Sequence, residues 1–83
     1  MKISELDTPV LLVDAEALGR NIARMQEMTA AAGVTYRPHS KTHKSSVIAR
    51  MQLEAGAVGV CCAKLGEAEV MGAAGIGNIL IKV

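Results

Sequence analysis

Apolar runs and amphipathic segments with capping residues alternate along the chain. Val10-Leu11-Leu12-Val13, behind Pro9, is a short continuous apolar run and predicts a strand near 10–13. Asp14 follows, a residue type that caps helices. Leu18, Ile22, Met25 and Ala32 then recur on one helical stripe, with Arg20, Arg24 and Glu27 largely outside it, and Gly33 ends the segment. Residues 35–41 predict a second strand. Ser45 or Ser46 caps the next helix, whose stripe is Ile48, Met51 and Ala55, and Gly56 closes it. Residues 58–63 are apolar on both faces, as in a parallel strand covered on both sides. A third helix is expected from about Gly66 to Ala74, with Glu67 and Glu69 near its positive N-terminus. Residues 78–83 begin a fourth strand.

This order is βαβαβαβ with short loops, the pattern of parallel strands joined by crossover helices. It fits an open doubly wound sheet or the first part of a (β/α)8 TIM barrel. A barrel takes about 250 residues, so the chain corresponds to roughly its first third plus an entry strand and helix. Ile79, Leu80, Ile81 and Val83 leave an apolar strand with nothing behind it in the chain. The expectation is self-association, a partner chain, or residues beyond Val83.

Composition narrows the function classes. The 83 residues include no Phe, no Trp and one Tyr, which argues against a single-stranded nucleic-acid binder built on stacked rings. A net charge of +1 argues against a phosphate-tracking surface. No apolar run approaches the ~20 residues that span a bilayer, and the first seven residues lack a signal-peptide core. Cys61 and Cys62 are adjacent in an apolar strand and read as buried free thiols, which suits a reducing cytoplasm. Gly72, Gly75 and Gly77 close a helix and enter a strand, the reverse of a nucleotide fingerprint.

The candidate chemistry sits in Arg37-Pro38-His39-Ser40-Lys41-Thr42-His43-Lys44. These eight residues hold three fixed cations and both histidines, with no acid. If the extended conformation continues, Arg37, His39, Lys41 and His43 share one face, and Ser40, Thr42 and Lys44 the other. A polar row on an interior strand is costly without partners, so it points to an anion site that uses a lysine. The competing reading is a solvated turn with Arg37 as a surface charge. His39 and His43 have a helical metal-ligand spacing, but Pro38 argues against helix there. Lys41 would stand at the C-terminal end of a barrel strand, where barrel enzymes place their chemistry. Neighbouring cations and burial favour a neutral lysine amine, which reacts with aldehydes. An aldehyde cofactor carrying a phosphate, such as pyridoxal phosphate, suits such a pocket.

These residues resemble the fold-type III pyridoxal-phosphate enzymes, the alanine-racemase-like barrels. Within them the chain is most similar to the D-threonine aldolase, D-serine dehydratase and 3-hydroxy-D-aspartate aldolase group. The matching stretches are residues 6–14, 37–44, 59–69, 74–76 and 79–81. The resemblance implies that residues 1–83 are the incomplete N-terminal part of such a barrel domain, with the run at 10–13 belonging to a second, β-rich domain. It implies cofactor attachment at Lys41, and the electropositive neighbours His39 and Arg37 are expected to complete the cofactor site with it. It also implies a divalent metal (Mn, Mg or Zn) on the C-terminal domain that these residues lack, and a homodimeric full-length enzyme. Many relatives carry Gln where this chain has Ala63. The implied activity is lysis of D-β-hydroxy amino acids, by retro-aldol cleavage to glycine and an aldehyde or by deamination to a keto acid and ammonia. A racemase of the same fold is the alternative, as is a non-catalytic pyridoxal-phosphate-binding protein or an inert fragment. The 83 residues alone are expected to be inactive.

Overall fold

The computed structural model describes residues 2–82. After a short 3-10 turn at Ile3–Glu5 come α1 (Ala15–Ala31), α2 (Ser46–Ala55), β1 (Val60–Cys62), α3 (Leu65–Ala73) and β2 (Ile79–Ile81). Local chemistry sets the helix ends. The Asp14 carboxylate accepts the Ala17 N–H at 3.0 Å, which satisfies one orphan donor of α1. At the other end Gly33 takes φ 72°, and the Val34 N–H returns to the Thr29 carbonyl at 3.1 Å. Ser45, rather than Ser46, caps α2, with its Oγ accepting the Ile48 N–H at 3.3 Å.

β1 and β2 pair in parallel, with Val60 opposite Ile79, Cys61 opposite Leu80 and Cys62 opposite Ile81. On the other side of β1, His39 forms a parallel bridge with Cys61. The sheet therefore runs in chain order, with α2 and α3 as the crossovers. The expected strand at 35–41 is reduced to this bridge for a specific reason. The bond continuing the ladder toward its N-terminal end would run from the N–H of residue 38 to Gly59. Residue 38 is proline and has no N–H to give. The Pro38 carbonyl still accepts from Cys61, at 2.8 Å, and the Ser40 N–H donates to the Cys61 carbonyl at 2.9 Å.

Alternation along β1 sorts its two faces. Val60 and Cys62 meet Ala49 of α2, Ala68 and Met71 of α3, and Ile76, with Leu53 and Ile79 packed at the edge. Burying Val60 or Met71 completely stabilises the fold by about 1.5–3 kcal/mol each. The opposite face carries His39, Cys61 and Leu80 in register, and Leu80 is 52% exposed.

The remaining expectations are corrected in detail. The run at 10–13 forms no strand, and Leu11 is 95% exposed. Apolarity predicts that a segment seeks cover, but a strand also needs a backbone partner, and none of the backbone hydrogen bonds of the sheet reaches residues 10–13. The half-buried stripe of α1 passes through Leu18, Ile22, Gln26 and Thr29 rather than Met25 and Ala32. In α2 the core-facing pair is Ala49 and Leu53, because the small Ala49 lets the helix approach β1 closely. The last strand is seen over Ile79–Ile81, and Val83 lies outside the described residues. Among the described residues no helix is long and apolar enough to cross a membrane.

Candidate active site

Parallel strands bring their C-terminal ends to one edge of the sheet. Lys41 follows the first extended segment, and Ala63 and Lys64 follow β1. The extended run stops at Ser40. Lys41, Thr42 and His43 form a turn closed by the Lys44 N–H, which donates to the Ser40 carbonyl at 2.7 Å. Lys44 adopts φ 52°, a left-handed conformation that costs a non-glycine residue roughly 1–2 kcal/mol. Such strain is concentrated at functional sites.

The turn changes which side chains meet. Strand alternation puts Lys44 on the face opposite Lys41, yet the turn returns it to the same cavity. That cavity, of about 650 Å³, is rimmed by Lys41, Thr42, Lys44, Lys64 and Glu67 and floored by Ala63, Gly66, Val70 and Met71. Its size is that of a small-molecule site, and three lysines against one carboxylate suit an anionic ligand. Lys41 is exposed, so the burial expected to favour its neutral amine is absent.

The two histidines do not form a pair. The His39 Nδ1 accepts the Lys41 N–H at 3.1 Å, and the His43 Nδ1 accepts the Ser45 N–H at 2.8 Å. Among the described residues no three His, Cys, Asp or Glu side chains gather as a metal site. Arg37 lies four residues before Lys41, toward the opposite edge of the sheet. Its guanidinium donates to the Asn78 carbonyl at 2.6 Å, the Asn78 side-chain oxygen at 2.9 Å and the Val60 carbonyl at 3.4 Å. Of the three expected cofactor residues the cavity thus takes Lys41 alone: His39 meets only the backbone N–H of Lys41, and Arg37 is bonded to Asn78.

Two site residues escaped sequence reasoning. Ser40 is buried, and its Oγ donates to the Glu67 Oε2 at 2.8 Å. The Glu67 Oε1 accepts the Ala63 N–H at 3.1 Å. The bond from Ser40 holds the Glu67 carboxyl below the usual carboxylate range. Burial opposes this, while the Ala63 N–H and the charges of His39 and Lys44 add to it. The available signal was an acid in the first turn of a helix whose preceding strand neighbours the lysine-bearing segment.

Burial lowers the pKa of His43, with Glu67 pulling weakly the other way. Its Nε2 is buried without a hydrogen-bond partner. The folded state therefore prefers the neutral ring. That contribution to stability is complete above the ordinary value of about 6.5 and is lost as the pH falls through the lower folded value. An NMR titration should give His43 a midpoint below about 6.5; a midpoint above it would contradict this placement.

Parallel strands joined by helices, with a cation-rimmed cavity at their C-terminal ends, define an α/β fragment. The alanine racemase N-terminal domain family matches residues 13–82, and the chain belongs to it. It is an α/β fragment with parallel strands that matches the N-terminal part of the alanine racemase-like barrel. The 3-hydroxy-D-aspartate aldolase of Paracoccus denitrificans is 43% identical over 82 residues, covering 98% of this chain and 21% of the relative. The D-threo-3-hydroxyaspartate dehydratase of Delftia sp. strain HT23 is 49% identical over 78 residues, covering 94% of this chain and 20% of the relative. The crystal structure of D-threonine aldolase from Filomicrobium marinum superposes with a TM-score of 0.90 at 48% identity, over 95% of this chain and 21% of that one. The chain thus spans about a fifth of the length of the curated relatives it matches.

Proposed function

We propose that these residues are the N-terminal part of the (β/α)8 barrel of a pyridoxal-phosphate-dependent lyase acting on D-β-hydroxy amino acids. The observation that carries this reading is Lys41, standing at a strand's C-terminal end on the rim of the cavity. The identities of 42–49% to aldolases and dehydratases of such substrates support it.

The residues present fit the cofactor in part. Lys41 offers an exposed amine to its aldehyde, and Lys44, Lys64 and Thr42 offer cations and a hydroxyl to its anionic groups. Val70 and Met71 give the cavity an apolar wall. When bound, pyridoxal phosphate supplies an electron sink for charge at the substrate α-carbon. A metal-free form of a D-threo-3-hydroxyaspartate dehydratase mutant has been solved, which suggests that a metal serves that relative. Among the described residues no cluster of side chains fits a metal. The buried free thiols Cys61 and Cys62 are consistent with a reducing, cytoplasmic setting, and we place the full-length enzyme there as a homodimer.

The test is product analysis on the full-length protein with pyridoxal phosphate and Mn²⁺, Mg²⁺ or Zn²⁺, using D-threonine and D-threo-3-hydroxyaspartate. Glycine with an aldehyde marks an aldolase, and a keto acid with ammonia marks a dehydratase. Racemisation with neither set of products would sink the lyase reading. Arg37 separates structure from site: Arg37→Ala should cost about 1–2 kcal/mol of stability through its lost bonds to Asn78 and leave cofactor affinity unchanged. Weakened affinity at unchanged stability would return Arg37 to the cofactor site.

A further inference from the structure

We propose that Glu67 is a positioning residue for the lysine turn: its carboxylate ties the segment ending at Ser40 to the end of β1, and so fixes where Lys41 stands at the cavity. The inference rests on the reading of Lys41 as the cofactor lysine.

Ser40, the residue immediately before Lys41, is buried, and each of its polar groups is committed. Its N–H goes to the Cys61 carbonyl at 2.9 Å, and its own carbonyl receives the Lys44 N–H at 2.7 Å. Its Oγ lies 2.8 Å from Glu67 Oε2, 3.3 Å from the Cys61 carbonyl and 3.4 Å from the Cys62 Sγ. A hydroxyl has one proton to give, and the shortest contact, to a carboxylate, takes it. The Cys62 thiol can then donate to the Ser40 oxygen, which orders three neighbouring groups in one direction.

Glu67 does not behave as an ordinary helix-capping acid. It stands third in α3, where a capping-box glutamate would accept the N–H of the N-cap residue, Lys64. It accepts instead from Ala63, one residue further back, and turns its other oxygen to a different segment of the sheet, 27 residues away in sequence. Both oxygens are occupied and the group is held ionised, so it is suited to holding position rather than to moving a proton. It is also the single acid among three lysines on the cavity rim. Removing it frees Ser40 Oγ, the end of β1 and the turn together.

Selectivity among lysines tests this, because a merely structural role would lower stability without redistributing label. The full-length protein is equilibrated with pyridoxal phosphate, reduced with borohydride, and mapped by peptide mass. In the parent the label is expected on Lys41 over Lys44 and Lys64. Glu67→Gln, equal in shape, should lower that ratio by roughly ten- to a hundredfold, the scale on which small misplacement of a reacting group is felt. Ser40→Ala cuts the same link from the other side and leaves the Ala63 bond in place, so it decides the matter should Glu67→Gln fail to fold. The Ser40→Ala/Glu67→Gln pair should be no worse than the poorer single variant, since both remove one link. Selective labelling of Lys41 that survives both single substitutions overturns the tie alone. A parent that labels on another lysine overturns the proposed function, and the tie with it.

Discussion

Lys41→Ala in the full-length protein is expected to remove the cofactor's covalent attachment and to lower lyase activity by at least about 10³-fold, as loss of a group touching the reacting atoms does. Lys44→Ala should retain both in part. The structure makes this a sharper contest than strand alternation implies, because Lys41, Lys44 and Lys64 all line one cavity. Their backbones differ. Lys41 directly follows the sheet-bonded Ser40, and its N–H rests on His39. Lys44 is held in a left-handed conformation at the far end of the turn, and Lys64 is the N-cap of α3. A reactive amine needs a fixed approach to the aldehyde, and the end of a sheet segment provides it. Visible absorbance of the bound cofactor together with steady-state rates would check this. Full absorbance and rate in Lys41→Ala would refute it.

Gly59→Ala should be the most damaging conservative change in the fold, at about 3 kcal/mol, a large share of the roughly 5–15 kcal/mol that holds a typical domain. A Cβ at Gly59 would fall on the Asn78 carbonyl oxygen, 2.6 Å from the Arg37 Nη1 and 3.0 Å from the Asn78 Cβ. That carbonyl cannot yield easily. It accepts from the Val60 N–H at 3.2 Å and from Arg37 at 2.6 Å, and Asn78 is itself at φ 55°. The Asn78 side chain adds a bond to the Val58 carbonyl at 2.7 Å. The added methyl would therefore push β2 away from β1. Gly72→Ala is the control: nothing lies within 4 Å of its Cβ position, and replacing a glycine in the last turn of α3 should stabilise by up to about 1 kcal/mol. Denaturant midpoints for the two variants in the full-length protein should move in opposite directions. An unchanged midpoint in Gly59→Ala would show that β1 and β2 are less closely joined than described.

The sequence by itself determined what short-range chemistry controls. The caps at Asp14 and Ser45, the stops at Gly33 and Gly56 and the position of α3 all depend on groups within about five residues of one another, and all were legible. So was the parallel arrangement, since each apolar run is followed by a crossover helix. The basic row marked the turn at 41–43 for the same reason, as a local excess of cations.

Tertiary structure decided the partners. The bonds from Ser40 to Glu67 and from Arg37 to Asn78 join residues 27 and 41 apart in sequence, and no periodicity reveals which strand ends the crossovers will bring side by side. The face assignment of Lys44 failed because alternation holds only while the backbone stays extended, and it leaves that region after Ser40. The run at 10–13 failed as a strand because apolar side chains specify burial, whereas a strand exists only where a second backbone supplies the missing donors and acceptors.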